Sequence, residues 1–119
     1  MTQNDGNLEW RSPCPISSAL DVLGDKWSLL IIRDLIIHGP RTYSLFLEAP
    51  EHIATNILAS RLELLTRLKL IERTNPNAAS RNNKYQLTES GAALRPTLEG
   101  LAKWAGAHLL EFHGDMLKI

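Results

Sequence analysis

The stretch from Lys26 to His38 constrains this chain most. Trp27, Leu29, Leu30, Ile31, Ile32, Leu35, Ile36 and Ile37 fall nearly all round a helix. A helix with that pattern sits at the centre of a fold, with other elements packed around it. Gly39-Pro40 ends it. With 119 residues there is room for one compact domain, so the remaining segments must supply the covering layers.

They divide readily. Pro15 to Leu23 reads as a first helix, with proline at its first position and Gly24 as its stop. Thr42 to Leu47 reads as a short third helix with Thr42 as N-cap, broken by Pro50. Ala54 to Lys69 is a fourth. Ile71 to Thr74 and Lys84 to Thr88 read as strands, joined by the Asn-, Pro- and Ser-rich loop Asn75 to Asn83. A last helix is expected from Glu89 to Phe112, with Pro96 kinking it or starting its main segment. Packed helices followed by a β-hairpin form the winged helix-turn-helix plan, a mainly α fold with a small β-hairpin. The expected division is a flexible arm over 1–13, the domain over 14–112 and a tail over 113–119.

The fourth helix carries the most informative surface. At about 100° per residue, its apolar side gathers Ala54, Ile57, Leu58, Leu62, Leu64, Leu65 and Leu68. The other side, in the first two turns, is short and hydrogen-bonding: Thr55, Asn56, Ala59 and Ser60. Small side chains let a helix lie deep in the major groove. Asn pairs with adenine, Ser and Thr bond bases or phosphates, and Ala meets a thymine methyl. Arg61 falls on the apolar side and must be paired or must snorkel, so it reads as a structural ion pair with a carboxylate such as Asp34 or Glu89. The hairpin loop holds Arg81, Asn82, Asn83 and Lys84 with no acid, as a contact to phosphate or the minor groove requires. Arg41, Thr42 and Tyr43 complete the expected DNA-contacting set.

Thirteen basic and thirteen acidic residues balance, so no global field draws the chain to nucleic acid. DNA binding therefore needs the basic residues to be concentrated locally, and a winged-helix protein-interaction module without DNA binding stays open as the alternative. Other classes have less to stand on. His38, His52, His108 and His113 show no metal spacing, and a single cysteine forms no Cys-x-x-Cys site. The acids are scattered and no glycine loop cradles phosphate, so no enzyme activity, cofactor or metal is expected. No run approaches the ~20 apolar residues of a membrane span. Met1 to Gly6 lacks a signal pattern and one cysteine suits a reducing compartment, so the expected location is the cytoplasm.

From Cys14 onward the chain resembles the HxlR family of bacterial winged-helix transcriptional regulators. The resemblance rests on Cys14-Pro15, on Leu20 to Trp27 with its Gly-x-Lys-Trp element, and on Leu30 to Leu35. It continues through Gly39-Pro40-Arg41, Tyr43, Ile53 to Leu58, Arg61-Leu62 and Leu65, then Leu70-Ile71 and Arg73. Tyr85 to Gly91 (Tyr-x-Leu-Thr-Glu-x-Gly), Leu94, Pro96, Leu98 and Trp104 close it. It implies a homodimer, with N- and C-terminal helices as its interface and two recognition helices reading a pseudo-palindromic operator. The chain departs from the family pattern at Lys69, where glycine is usual, so the exit turn is expected to differ. It also lacks the common Pro-Pro-Arg wing sequence.

Two further expectations follow. Leu98, Leu101, Trp104, Ala105, Leu109 and Phe112 give the last helix more apolar surface than one domain needs, so with Leu8 and Trp10 they are assigned to a dimer interface. Cys14 precedes Pro15 at the N-cap of the first helix. There its sulfur can accept from the Ser17 or Ser18 N–H, with Arg11 adding positive charge. Some relatives sense oxidants or electrophiles through a cysteine here, so Cys14 is either a redox sensor or a plain capping cysteine.

Overall fold

A computed structural model describes residues 8–77 and 83–117. Its elements run α1 (Pro15–Leu23), α2 (Ser28–His38), β1 (Arg41–Thr42), α3 (Tyr43–Phe46), α4 (Thr55–Arg67), β2 (Ile71–Arg73), β3 (Lys84–Leu87), α5 (Glu89–Ala92) and α6 (Arg95–His108). The hairpin is thus part of a three-stranded antiparallel sheet of order β1-β3-β2. The extra strand, β1, places Arg41 opposite Tyr85 and Thr42 opposite Lys84. Two residues carry no alternating pattern, so this strand left no mark in the sequence.

The core joins Ile31, Ile32 and Leu35 of α2, Phe46 of α3, Leu58, Leu62 and Leu65 of α4, and Ile71 of β2. Each such side chain contributes about 1.5–3 kcal/mol when fully buried. One expectation about α2 is corrected here. It is buried along one face only: Leu30 and Ile36 are half-buried, and Ile37 is 64% exposed. The side of α2 expected to be covered stands open beside α6.

The exit from α4 fixes how the sheet and the last helices attach. Leu70 N–H bonds the Leu65 carbonyl at 2.9 Å, and Lys69 N–H bonds that of Thr66 at 3.0 Å, the paired bonds of a Schellman turn. Lys69 takes φ 69°, in the left-handed region. The turn is therefore the one a glycine would make, contrary to the expectation that it differs, and lysine bears the strain. Thr88 then docks α5 onto this turn. Its hydroxyl donates to the Lys69 carbonyl at 2.6 Å and accepts from Gly91 N–H at 3.2 Å. A Cβ on Gly91 would stand 2.1 Å from the Leu70 carbonyl oxygen, which explains the glycine of the Tyr-x-Leu-Thr-Glu-x-Gly element.

The last helical stretch is interrupted at Ala93-Leu94 and Pro96 stands at the start of its main segment, one of the two outcomes expected of it, because it lacks the N–H that would continue the ladder. α6 ends at His108 rather than Phe112. These turns yield substitutions of opposite sign. Lys69→Gly relieves the left-handed strain and should raise stability by about 0.5–1 kcal/mol. Gly91→Ala forces backbone apart and should cost about 2–3 kcal/mol. Denaturant unfolding of both variants measures this, and equal midpoints would contradict it.

Candidate nucleic-acid interface

α3, the turn after it and α4 make the helix-turn-helix. Leu58, Leu62, Leu64 and Leu65 bury one side of α4, while Thr55, Asn56, Ala59, Ser60, Glu63 and Arg67 are exposed on the other. Ile57, expected on the apolar side, lies exposed at its edge. The N-cap is Ala54, which offers no side-chain acceptor, so the first-turn N–H groups are left for outside partners.

Several contacts hold this helix at its angle. Thr42 caps α3, its Oγ1 accepting from Leu45 N–H at 3.3 Å. Tyr43 donates its hydroxyl proton to the Thr55 carbonyl at 2.7 Å. That proton is engaged within the chain, so Tyr43 positions the start of α4 rather than offering its O–H to phosphate. From α2, Arg33 reaches the turn before α4 and forks onto Glu51 at 2.7 and 3.0 Å, while its Nε bonds the buried Asp34 at 3.0 Å. The hydrogen bonds that Arg33 donates to Glu51 are the chief cause that lowers the Glu51 pKa, against the opposing effect of burial, and that raises the pKa of Arg33. Sequence reasoning missed this clamp. Two adjacent opposite charges on an otherwise apolar helix were the available signal.

Arg61 is an ion-paired side chain, but its partner is neither Asp34 nor Glu89. Its guanidinium lies 3.7 Å from Asp25. Asp25 also accepts from the Trp27 and Ser28 N–H groups at the start of α2, so the pair ties α4 to that end.

The base of the hairpin corrects another assignment. Asn83 is only 2% exposed. Its Oδ1 accepts from Asn75 N–H at 3.0 Å and from the Thr74 hydroxyl at 3.3 Å, and its amide donates to the Asn75 carbonyl. It is the tie across the neck of the loop, its side chain buried and its polar atoms engaged within the chain. Lys84 is exposed beside it, while Arg81 and Asn82 lie outside the described residues.

Elsewhere, Cys14 is exposed at the N-cap of α1, but its sulfur makes no capping bond. Arg11 pairs with Asp21. Trp104 (57%) and Phe112 (79%) are well exposed, as are Leu101 and Leu109. Leu98 packs against the core, and Leu8, Trp10 and Ala105 are half-buried. On α1, Ile16 (72%) and Leu20 are exposed one turn apart, a pair that sequence reasoning passed over.

A carboxylate held below its ordinary range stabilises the fold above that range and stops doing so as pH falls through its folded value. The advantage of the wild type over Glu51→Gln, about 1 kcal/mol or less for a pair this exposed, should therefore be constant above the ordinary glutamate value of about 4.3 and be lost as pH falls below it. Urea midpoints across that range measure it, and a pH-independent difference would contradict the clamp.

Comparison with known proteins agrees with this architecture. Residues 22–112 match the HxlR-like helix-turn-helix family. The chain is 30% identical over 110 residues to the HTH-type transcriptional regulator MT3179 of Mycobacterium tuberculosis, covering 87% of this chain and 65% of that one. It is 32% identical over 93 residues to the HTH-type transcriptional regulator YodB of Bacillus subtilis, covering 77% of this chain and 82% of that one. Among solved structures, PA1607 superposes with a TM-score of 0.75 at 32% identity, over 92% of this chain and 73% of that one. Quinone-bound YodB superposes at 0.66 and 33% identity, over 79% and 98%. The chain belongs to the HxlR-like helix-turn-helix family of winged-helix proteins.

Proposed function

We propose that this chain is a homodimeric, sequence-specific DNA-binding transcriptional regulator acting in the cytoplasm, with residues 14–112 as the working domain. The observation that carries the reading is the exposed face of Thr55, Asn56, Ala59 and Ser60 on a helix whose opposite face is core. Those side chains read base edges, and the unpaired first-turn N–H groups take a flanking phosphate. Arg41, Lys84 and the hairpin loop with Arg81 and Asn82 supply backbone contacts. The family membership supports the same reading.

A second copy covers the apolar faces of α1 and α6. Ile16, Leu20, Leu101, Trp104 and Phe112 together expose more apolar surface than a monomer in water retains. Two-fold pairing there presents two copies of α4 to half-sites about 34 Å apart. Footprinting on the promoters of neighbouring genes, followed by titration of the protected duplex, tests both parts. A discrete pseudo-palindromic footprint, affinity falling steeply with salt and a dimeric mass by light scattering are expected. No salt-sensitive binding to any duplex would favour a protein-interaction module without DNA binding instead.

Cys14 is the proposed control point. It is exposed, and it begins the helix that carries Ile16 and Leu20, so an adduct on its sulfur bears directly on the dimer face. The relative YodB has been solved with quinone bound. Quinone treatment should lower operator affinity of the wild type and leave Cys14→Ser unaffected. Equal affinities after treatment would leave Cys14 a plain N-terminal residue of α1.

A further inference from the structure

A cleft of about 380 Å³ runs along the flank of α4, between that helix and the sheet. Tyr43, Ala59, Glu63, Arg67, Arg73 and Tyr85 line it. Strand register explains the sheet wall. Arg41 stands opposite Tyr85, and Tyr85 stands opposite Arg73. Residues directly opposite one another share a sheet face, so two guanidinium groups flank one tyrosine in a single row. Tyr85 itself rests edge-on against Phe46, with ring centroids 6.3 Å apart, which anchors the row to the core.

Arg73 is the unusual member. Its Nε is buried without a hydrogen-bond partner. Among the described residues, no carboxylate lies within 4.0 Å of Arg73 or Arg67. Glu63 on the wall is exposed and makes no ion pair there, so the lining keeps a positive excess. Arg73 as a whole is half-buried, and a guanidinium with no carboxylate beside it keeps its charge for an anion; its planar fork suits a phosphate.

The cleft also lies where a phosphate would come. Ala59 belongs both to its lining and to the exposed face of α4. A helix about 10–12 Å across fills a major groove about 12 Å wide, so the bordering DNA strands press against the helix flanks. We propose that this cleft is a phosphodiester subsite. Arg73, with Arg67 at its outer end, grips a backbone phosphate of the duplex whose bases α4 reads. The inference rests on the DNA-binding reading above and adds contacts outside the hairpin loop.

The test uses the full-length protein, its footprinted duplex and a scrambled duplex, titrated between about 50 and 200 mM salt. Arg73→Gln and Arg67→Gln should each weaken binding to both duplexes by the same factor. Each should also make the slope of log affinity against log salt shallower by about one. Arg73→Lys should restore the slope with only part of the affinity. Arg67 is exposed, so its variant decides the matter should Arg73→Gln fail to fold. An unchanged slope in a folded variant, or a loss confined to the footprinted sequence, overturns the subsite alone. A wild type that binds no duplex overturns the parent reading as well.

Discussion

The placement of everything outside the core depends on one apolar contact region. Ile31, Ile32 and Leu35 of α2 share a single buried cluster with Leu58, Leu62 and Leu65 of α4. Because α4 commits that side to the cluster it shares with α2, Phe46 of α3 and Ile71 of β2, its short polar side faces outward. The angle is then set by polar ties that cost little to make and are local in reach. Arg33 holds Glu51 just before the helix, Tyr43 holds the first carbonyl within it, and Arg61 reaches back to Asp25. Burial decides which face is presented, and these ties decide how.

Pairing also resolves the neutral net charge. Asp21, Asp25, Asp34 and Glu51 are occupied by Arg11, Arg61 and Arg33. Arg41, Arg67, Arg73 and Lys84, on or next to the sheet and α4, have no carboxylate within 4.0 Å among the described residues. A chain with equal numbers of both signs thus leaves basic groups unmatched beside the exposed polar face of α4. The whole-molecule sum hides that local surplus, since phosphate contacts act over a Debye length of about 8–10 Å.

Most of the architecture was legible because it depends on periodicity and on punctuation. Pro15, Gly24, Gly39-Pro40 and Thr42 mark ends that the backbone obeys, and the α4 wheel separates its two faces almost residue by residue. What was illegible required knowing neighbours distant in sequence. β1 is too short to carry a pattern and exists only because β3 lies beside it. Asn83 looks like any loop asparagine until the hairpin closes and buries it. The Arg61 wheel position demanded a carboxylate without saying which, and Asp25 was already needed at the start of α2. Lys69 shows a different limit, since a left-handed turn favours glycine but does not require it. Arg73 belongs to the family pattern, yet its place beside Tyr85 depends on strand register.

The central claim is that the first half of α4 meets DNA bases while α1 and α6 face a second copy of the chain. Amide chemical-shift mapping of the labelled protein, titrated with its footprinted duplex, tests this most directly. The largest changes are expected at Thr55, Asn56, Ala59 and Ser60, with lesser ones at Arg41, Arg73 and Lys84 and almost none along α6. Dominant changes along α6, with α4 silent, would contradict it.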